Sequence, residues 1–180
     1  FNPDQEKYFR SISSPAVEGD LIVCPYSRGA TVTACRISDV VAGKGRESIV
    51  WHRDDIGSDV PTPAIDQGRV YITSDGKPSR GKVSAVDLNT GKTLWSVQIP
   101  KSRFGFSSSP LVAANRLYVT GEDATTYVIG PLDAETPELI ETNRVDDDDP
   151  FTVASPVPFD GDLIQRTRHA LYRIGQGTGG

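Results

Sequence analysis

Four Ser/Thr-Pro dipeptides, Ser14-Pro15, Thr62-Pro63, Ser109-Pro110 and Ser155-Pro156, stand 48, 47 and 46 residues apart in this chain. A period this regular marks a repeat architecture, in which one supersecondary unit is stacked or arranged radially against copies of itself. Each dipeptide is followed by a turn and an apolar run: Asp20-Leu21-Ile22-Val23, Arg69-Val70-Tyr71-Ile72, Arg116-Leu117-Tyr118-Val119 and Asp162-Leu163-Ile164. The unit from Pro61 to Trp95 is the easiest to read. Thr62 to Ile65 is extended, Asp66-Gln67-Gly68 turns, and Arg69 to Thr73 alternates polar and apolar in the manner of a half-buried strand. Lys82 to Leu88 alternates again, Asn89-Thr90-Gly91 supplies a tight turn, and Lys92 to Ile99 makes a fourth strand.

Four antiparallel strands per period describe the blade of a β-propeller, an all-β fold. The expected layout is a single domain over residues 1–180, with blades at about 13–54, 61–100, 108–146 and 154–175 and a Gly-rich tail at 176–180. No window sustains the apolar i, i+3, i+4, i+7 stripe of a helix. Composition supports a globular chain, at 37% hydrophobic and 24% charged over 180 residues. No apolar run approaches the roughly 20 residues of a membrane span. A net charge of −5 with mixed signs argues against nucleic acid as a partner, because phosphate binding needs a concentrated basic face.

The run Ala85-Val86-Asp87-Leu88-Asn89-Thr90-Gly91-Lys92-Thr93-Leu94-Trp95 resembles the tryptophan-docking motif of the pyrroloquinoline-quinone (PQQ) type propeller repeats, A-x-D-x-x-T-G-K-x-x-W. The resemblance implies structural roles for Ala85, Asp87, Gly91, Lys92 and Trp95: the Trp packs between neighbouring blades and the Gly turns the chain between the two outer strands. The first blade keeps Ala34 and Trp51 around an insertion, Ser38 to Gly45, and the third has Val128, Gly130 and, near the Trp position, Ile140. Family resemblance also implies a location in the bacterial periplasm or at the cell surface.

Phe1 stands where a docking Trp would precede the first Ser-Pro, so residues 1–12 read as the outer strand of a preceding or closing blade. The last segment supplies three strands and no fourth. Two arrangements satisfy this: a closed four-bladed ring, or the C-terminal half of a ring of seven or eight blades. The half-ring is expected, since relatives usually have the larger ring, with a protein partner or the missing half covering the open blade faces. Phe1 as first residue and the lack of Met lead us to expect that upstream chain was removed.

Candidate functional residues fall in the loops. Arg103, Phe104 and Phe106, together with Asp146 and Asp147, are expected on one loop face, since aromatic residues and Arg are enriched at binding hot spots. For Phe106 the preferred reading is that it and its Ser neighbours enter the inner strand, the loop face being the alternative. The run Asp146 to Asp149 invites a calcium reading, but in an extended chain alternate residues point to opposite sides, which favours a solvated acidic loop. His52 and His169 read as ordinary strand residues. Cys24 and Cys35 face each other, within disulfide reach, if Gly29-Ala30 is a two-residue turn. A longer loop would separate them as two buried thiols, and that reading is preferred.

These features favour a non-catalytic scaffold that binds a protein partner or surface ligand, with no cofactor. The alternative is a fragment of a PQQ-dependent alcohol or sugar dehydrogenase, which would bring PQQ and calcium. Such enzymes use adjacent cysteines, which Cys24 and Cys35 are not.

Overall fold

The computed structural model describes residues 12–26, 28, 31–146 and 148–175. The outer strand expected at residues 1–12, the turn at Gly29-Ala30, Asp147 and the tail at 176–180 therefore fall wholly or almost wholly outside the described residues. Each Ser/Thr-Pro opening leads into a short inner strand, because proline fixes φ near the extended range and holds its predecessor extended as well. Blade one contains β1 (Ala16–Glu18), β2 (Leu21–Tyr26), β3 (Thr31–Arg36) and β4 (Ile49–Arg53). Blade two contains β5 (Ala64–Asp66), β6 (Arg69–Thr73), β7 (Lys82–Asp87) and β8 (Thr93–Gln98). Blade three contains β9 (Leu111–Ala113), β10 (Arg116–Thr120), β11 (Thr126–Gly130) and β12 (Glu138–Asn143). The last blade has three described strands, β13 (Val157–Phe159), β14 (Asp162–Arg166) and β15 (Leu171–Ile174). All pair antiparallel in sequence order, as propeller blades do.

The insertion in blade one is not irregular. It folds into a one-turn helix, α1 (Ile37–Val41), and a 3-10 turn over Gly45–Ser48. Asp20, in the β1–β2 turn, anchors it by accepting the Ser38 amide at 2.9 Å and the Ser38 hydroxyl at 2.7 Å. These bonds hold the Asp20 carboxyl below its usual range.

The opening dipeptides tie blade to blade near the axis. The Ser14 amide donates to Thr62 Oγ1 at 3.0 Å, the Thr62 amide to Ser109 Oγ at 3.0 Å, and the Ser109 amide to Ser155 Oγ at 2.8 Å. The residue before each dipeptide adds a second rung. Ser13 Oγ donates to the Pro61 carbonyl at 2.9 Å and Ser108 Oγ to the Ala154 carbonyl at 2.8 Å.

Away from the axis the seams are apolar. Val23, Val32, Ala34 and Trp51 of blade one meet Val70, Ile72, Val86 and Leu88 of blade two. Tyr71, Val83, Ala85 and Trp95 then meet Leu117, Val119, Tyr127 and Ile129 of blade three. A bulge recurs at one place in each of the first three blades, between Ala34 and Cys35, Ala85 and Val86, and Val128 and Ile129, and it shifts the outer strand by one residue. That shift sets Trp51 opposite Ala34 and Trp95 opposite Ala85, small residues that leave room for an indole. Each buried indole contributes roughly 4 to 6 kcal/mol of transfer free energy.

The docking motif has a physical account in the β7–β8 turn. Asp87 Oδ1 accepts the Asn89 amide, the Thr90 amide and the Thr90 hydroxyl at 3.1, 2.8 and 2.7 Å, closing a side-chain turn. Gly91 then takes φ +68°, and Lys92 continues the chain into β8. The Trp51 indole of the preceding blade lies on this turn, and its Nε1 donates to the Leu88 carbonyl at 2.7 Å. Trp95 is buried between blades two and three, tilted against Tyr71 at 5.9 Å. Its Nε1 finds no acceptor, and the carbonyl of Leu132, the counterpart of Leu88, accepts from Arg69 Nη1.

In blade three the register puts Glu141, not Ile140, opposite Val128 and therefore at the Trp position. The bulge accounts for the one-residue difference. Glu141 is exposed, and the third seam has no docking indole.

A Cβ on Gly91 would sit 2.7 Å from the Trp51 ring, on a left-handed backbone. Gly91→Ala is expected to cost at least about 1–2 kcal/mol from the backbone alone, and Trp51→Ala about 3–5 kcal/mol. Urea unfolding checks both. A Gly91→Ala variant as stable as wild type would remove the docking contact from the account.

Candidate functional site

The loops joining β2 to β3, β6 to β7, β10 to β11 and β14 to β15, and those joining one blade to the next, gather on one face. On this face blades two, three and four each grip the connection that precedes them, and an equivalent position in the repeat does the gripping. In blade two it is Asp75, which accepts the Asp59 and Val60 amides at 2.9 Å each. Burial pushes its carboxyl above the usual range, against these two bonds that favour the charge. In blade three it is Glu122, 47 residues later, which accepts the Ser107 hydroxyl at 2.7 Å and the Gly105 amide at 3.2 Å. A Cβ at Gly105 would lie 2.9 Å from the carboxylate, so a larger residue there would push the Glu122 side chain aside.

In blade four the same position, 46 residues on, is Arg168. The sign of the side chain is reversed. Arg168 donates to Asp149 at 2.5 Å, lies 5.1 Å over the Phe151 ring, and its amide donates to the Phe151 carbonyl at 2.8 Å. Between blades three and four this leaves a groove of about 500 Å³, bordered by Arg103, Phe104, Asp123, Arg144, Phe151 and Arg168. The Arg103 guanidinium lies 4.8 Å over the Phe104 ring. Arg103 and Arg144 have no carboxylate partner among the described residues.

The structure thus brings Arg103 and Phe104 into one groove. Phe106 is not with them. Two residues on from Phe104, it is 4% exposed and packs against Tyr127 at 6.2 Å, inside the core between blades two and three. Asp146 is exposed at the groove's flank, where its carbonyl accepts the Tyr172 hydroxyl at 3.3 Å. Asp149, not singled out from the sequence, is the member of the acidic run that reaches a cation. Among the described residues no three His, Cys, Asp or Glu side chains converge to hold a metal ion. His169, expected on a strand, lies in the β14–β15 turn with Nε2 3.7 Å from Asp149, while His52 is on β4 and bonds Thr33 through Nδ1 at 2.8 Å.

The cysteines do not face each other. Tyr26 pairs with Thr31, so four residues rather than two join β2 to β3, and the register sets Cys24 opposite Thr33 and Cys35 opposite Ile22. The two thiols are free and share the blade face turned away from blade two. Burial, reinforced by Cys35, pushes the Cys24 thiol up to about 11. Adjacent cysteines and an acidic ligand cluster are what the resemblance asks of a quinone site, and the described residues do not fit it.

A family model described as outer membrane protein assembly factor BamB matches residues 36–140. No curated protein matches the sequence. Among solved structures, BamB from Moraxella catarrhalis superposes with a TM-score of 0.66 at 17% identity, covering 94% of this chain and 48% of that one. The computationally designed Ika4 protein superposes at 0.63 and 15% identity, with 92% of each chain covered. A quinohemoprotein alcohol dehydrogenase from Pseudomonas putida HK5 reaches 0.53 at 18% identity, over 72% of this chain and 20% of that one. The chain thus spans about half of the BamB structure and a fifth of the dehydrogenase, and these likenesses show the fold.

A thiol at about 11 instead of the ordinary 9.0 carries about a hundredfold less thiolate near pH 8. Alkylation of native Cys24 by iodoacetamide is expected to run about a hundredfold slower than in the urea-unfolded chain and to rise about tenfold per pH unit up to about 11. The folded protein keeps a proton that the unfolded chain releases between pH 9 and 11, so this thiol's contribution to stability is lost as pH rises through that window. Equal native and unfolded rates would contradict the burial described.

Proposed function

Because this chain belongs to the family described as outer membrane protein assembly factor BamB, we propose that it is a non-catalytic propeller module that docks a protein partner outside the cytoplasm. The groove between blades three and four carries this reading. Two rings, Phe104 and Phe151, each lie under a guanidinium, and Arg144 adds a third cation at the rim. Such a surface suits an extended segment with acidic and aromatic side chains, since charge-assisted bonds from Arg to carboxylate are among the stronger polar contacts.

The four blades fit within a larger ring. Val17 on the outward face of blade one and Val157, Phe159 and Leu171 on that of blade four are 56%, 56%, 58% and 70% exposed, an apolar surface that further blades would cover. Light scattering of the native protein, expected to give a mass above one set of four blades, checks this.

The groove is tested with peptides of acidic and aromatic residues selected by display against the full chain and measured by fluorescence anisotropy. Arg168→Glu restores the acid found at the equivalent position in blades two and three and is expected to weaken binding at least about tenfold, or about 1.4 kcal/mol, as is Arg103→Glu. Affinity is expected to fall as salt rises from about 50 to about 300 mM. Lys44→Ala, on the opposite face, leaves it unchanged. Peptides whose binding ignores Arg103 and Arg168 would overturn the reading.

A further inference from the structure

The grips that blades two, three and four exert on their preceding connections differ in what they hold. Asp75 takes two main-chain amides and Glu122 an amide and a hydroxyl, and neither residue is exposed. Arg168 cannot accept a bond, and the connection before it offers a side chain instead, Asp149 at 2.5 Å. Both ends of this pair are half open to water, at 53% and 55% exposure. An ion pair so exposed contributes little to stability.

Nor is the pair needed to hold the connection. The Arg168 amide donates to the Phe151 carbonyl at 2.8 Å, the Thr152 amide to the Glu122 carbonyl at 2.9 Å, and the Phe151 amide to the Asp149 carbonyl at 2.8 Å. These main-chain bonds fix the chain whatever the Asp149 carboxylate does. Space lies on both sides of the connection, because Arg144 and Val145 form the wall between the groove and a second cleft of about 340 Å³ that Tyr118, Leu163 and Tyr172 help to line. His169 Nε2 stands 3.7 Å from the same Asp149 oxygen, a second neighbour to which the carboxylate can turn. What the pair does show is the chemistry that Arg168 takes: a carboxylate, with the Phe151 ring against the guanidinium.

We infer that Asp149 is an internal competitor for the groove, neutralising Arg168 until an acidic residue of the partner segment takes its place. This rests on the reading of the groove as a site for an acidic, aromatic segment and adds an exchange to it. At Arg168 one ion pair breaks for each that forms. Arg103 and Arg144, which have no carboxylate partner among the described residues, gain theirs outright. A segment with no acid at that point leaves Asp149 where it is and gains nothing from Arg168, so the contact sets both the affinity and the selectivity of the groove.

Asp149→Asn keeps the shape of the side chain and removes its charge. In anisotropy titrations of the full chain with an acidic, aromatic peptide selected by display, it is expected to tighten binding about fivefold, the loss that an exposed pair of ordinary strength imposes by occupying Arg168. Asp148→Asn removes the same charge from the next residue and should change affinity by less than about twofold. In an Arg168→Gln background Asp149→Asn should have no effect, since no guanidinium is left to release. Salt gives a second readout: between about 50 and about 300 mM, binding to the Asp149→Asn protein should weaken more steeply than binding to wild type, because one more ion pair forms on balance. The same peptide with Asn and Gln in place of its Asp and Glu should gain nothing from Asp149→Asn. Binding that depends on Arg103 yet is unchanged or weakened by Asp149→Asn, or is tightened as much by Asp148→Asn or in the Arg168→Gln background, would overturn the inference and leave the groove standing. Binding indifferent to both Arg103 and Arg168 would overturn the two together.

Discussion

The amide-to-hydroxyl bonds between successive openings are the contacts on which the arrangement of blades rests. Ser14, Thr62, Ser109 and Ser155 each contribute one residue per repeat, and the three bonds between them lie within 0.2 Å of one another in length. Near the axis the inner strands have little apolar surface to bury, so spacing there is set by hydrogen bonds, whose length tolerates little variation. The indole and aliphatic contacts further out can then vary from seam to seam without changing how the blades radiate. This explains how the third seam loses its tryptophan and still keeps its blade in place.

A gradient runs along the chain as a result. The first seam has an indole with its N–H satisfied by Leu88, the second an indole whose N–H finds no acceptor, and the third no indole at all. Both clefts between blades three and four open at the seam that has no indole. The groove proposed for binding lies where the repeat is least faithful to itself, in keeping with function residing in features grafted on a scaffold.

Much of the fold was legible because the repeat writes the same physical requirement four times. Proline before a short inner strand, glycine at a positive φ in the β7–β8 turn, and alternation along β6 and β7 are local demands that the sequence carries openly. The position of Glu141 was not, since a bulge in the ladder has no residue signature here and displaces any count made along β12 by one. The pairing of the cysteines hung on the length of one loop, and with four residues between Tyr26 and Thr31 Cys24 and Cys35 stand apart. Arg103 and Phe104 were legible as loop residues, whereas Phe106, separated from Phe104 by Gly105 alone, could be read either way and lies in the core between blades two and three. Arg168 becomes conspicuous only when it is set beside its counterparts, Asp75 and Glu122. One strand read alone does not show that a residue is the exception.

The ladder at the axis also has a direction. Every rung runs from a main-chain donor in one blade to a side-chain oxygen in the next, so the row of blades has a donor-seeking end at the hydroxyl of Ser14 and an acceptor-seeking end at the amide of Ser155. Two like ends brought together by a twofold axis would set amide against amide, which cannot bond, or hydroxyl against hydroxyl, which does not repeat the amide-to-hydroxyl rung. Growth of this structure is therefore vectorial. Whatever extends it, further blades or another copy, continues the rungs only by joining tail to head, and a heterologous join of that kind ends either in a closed circle or in an open helix.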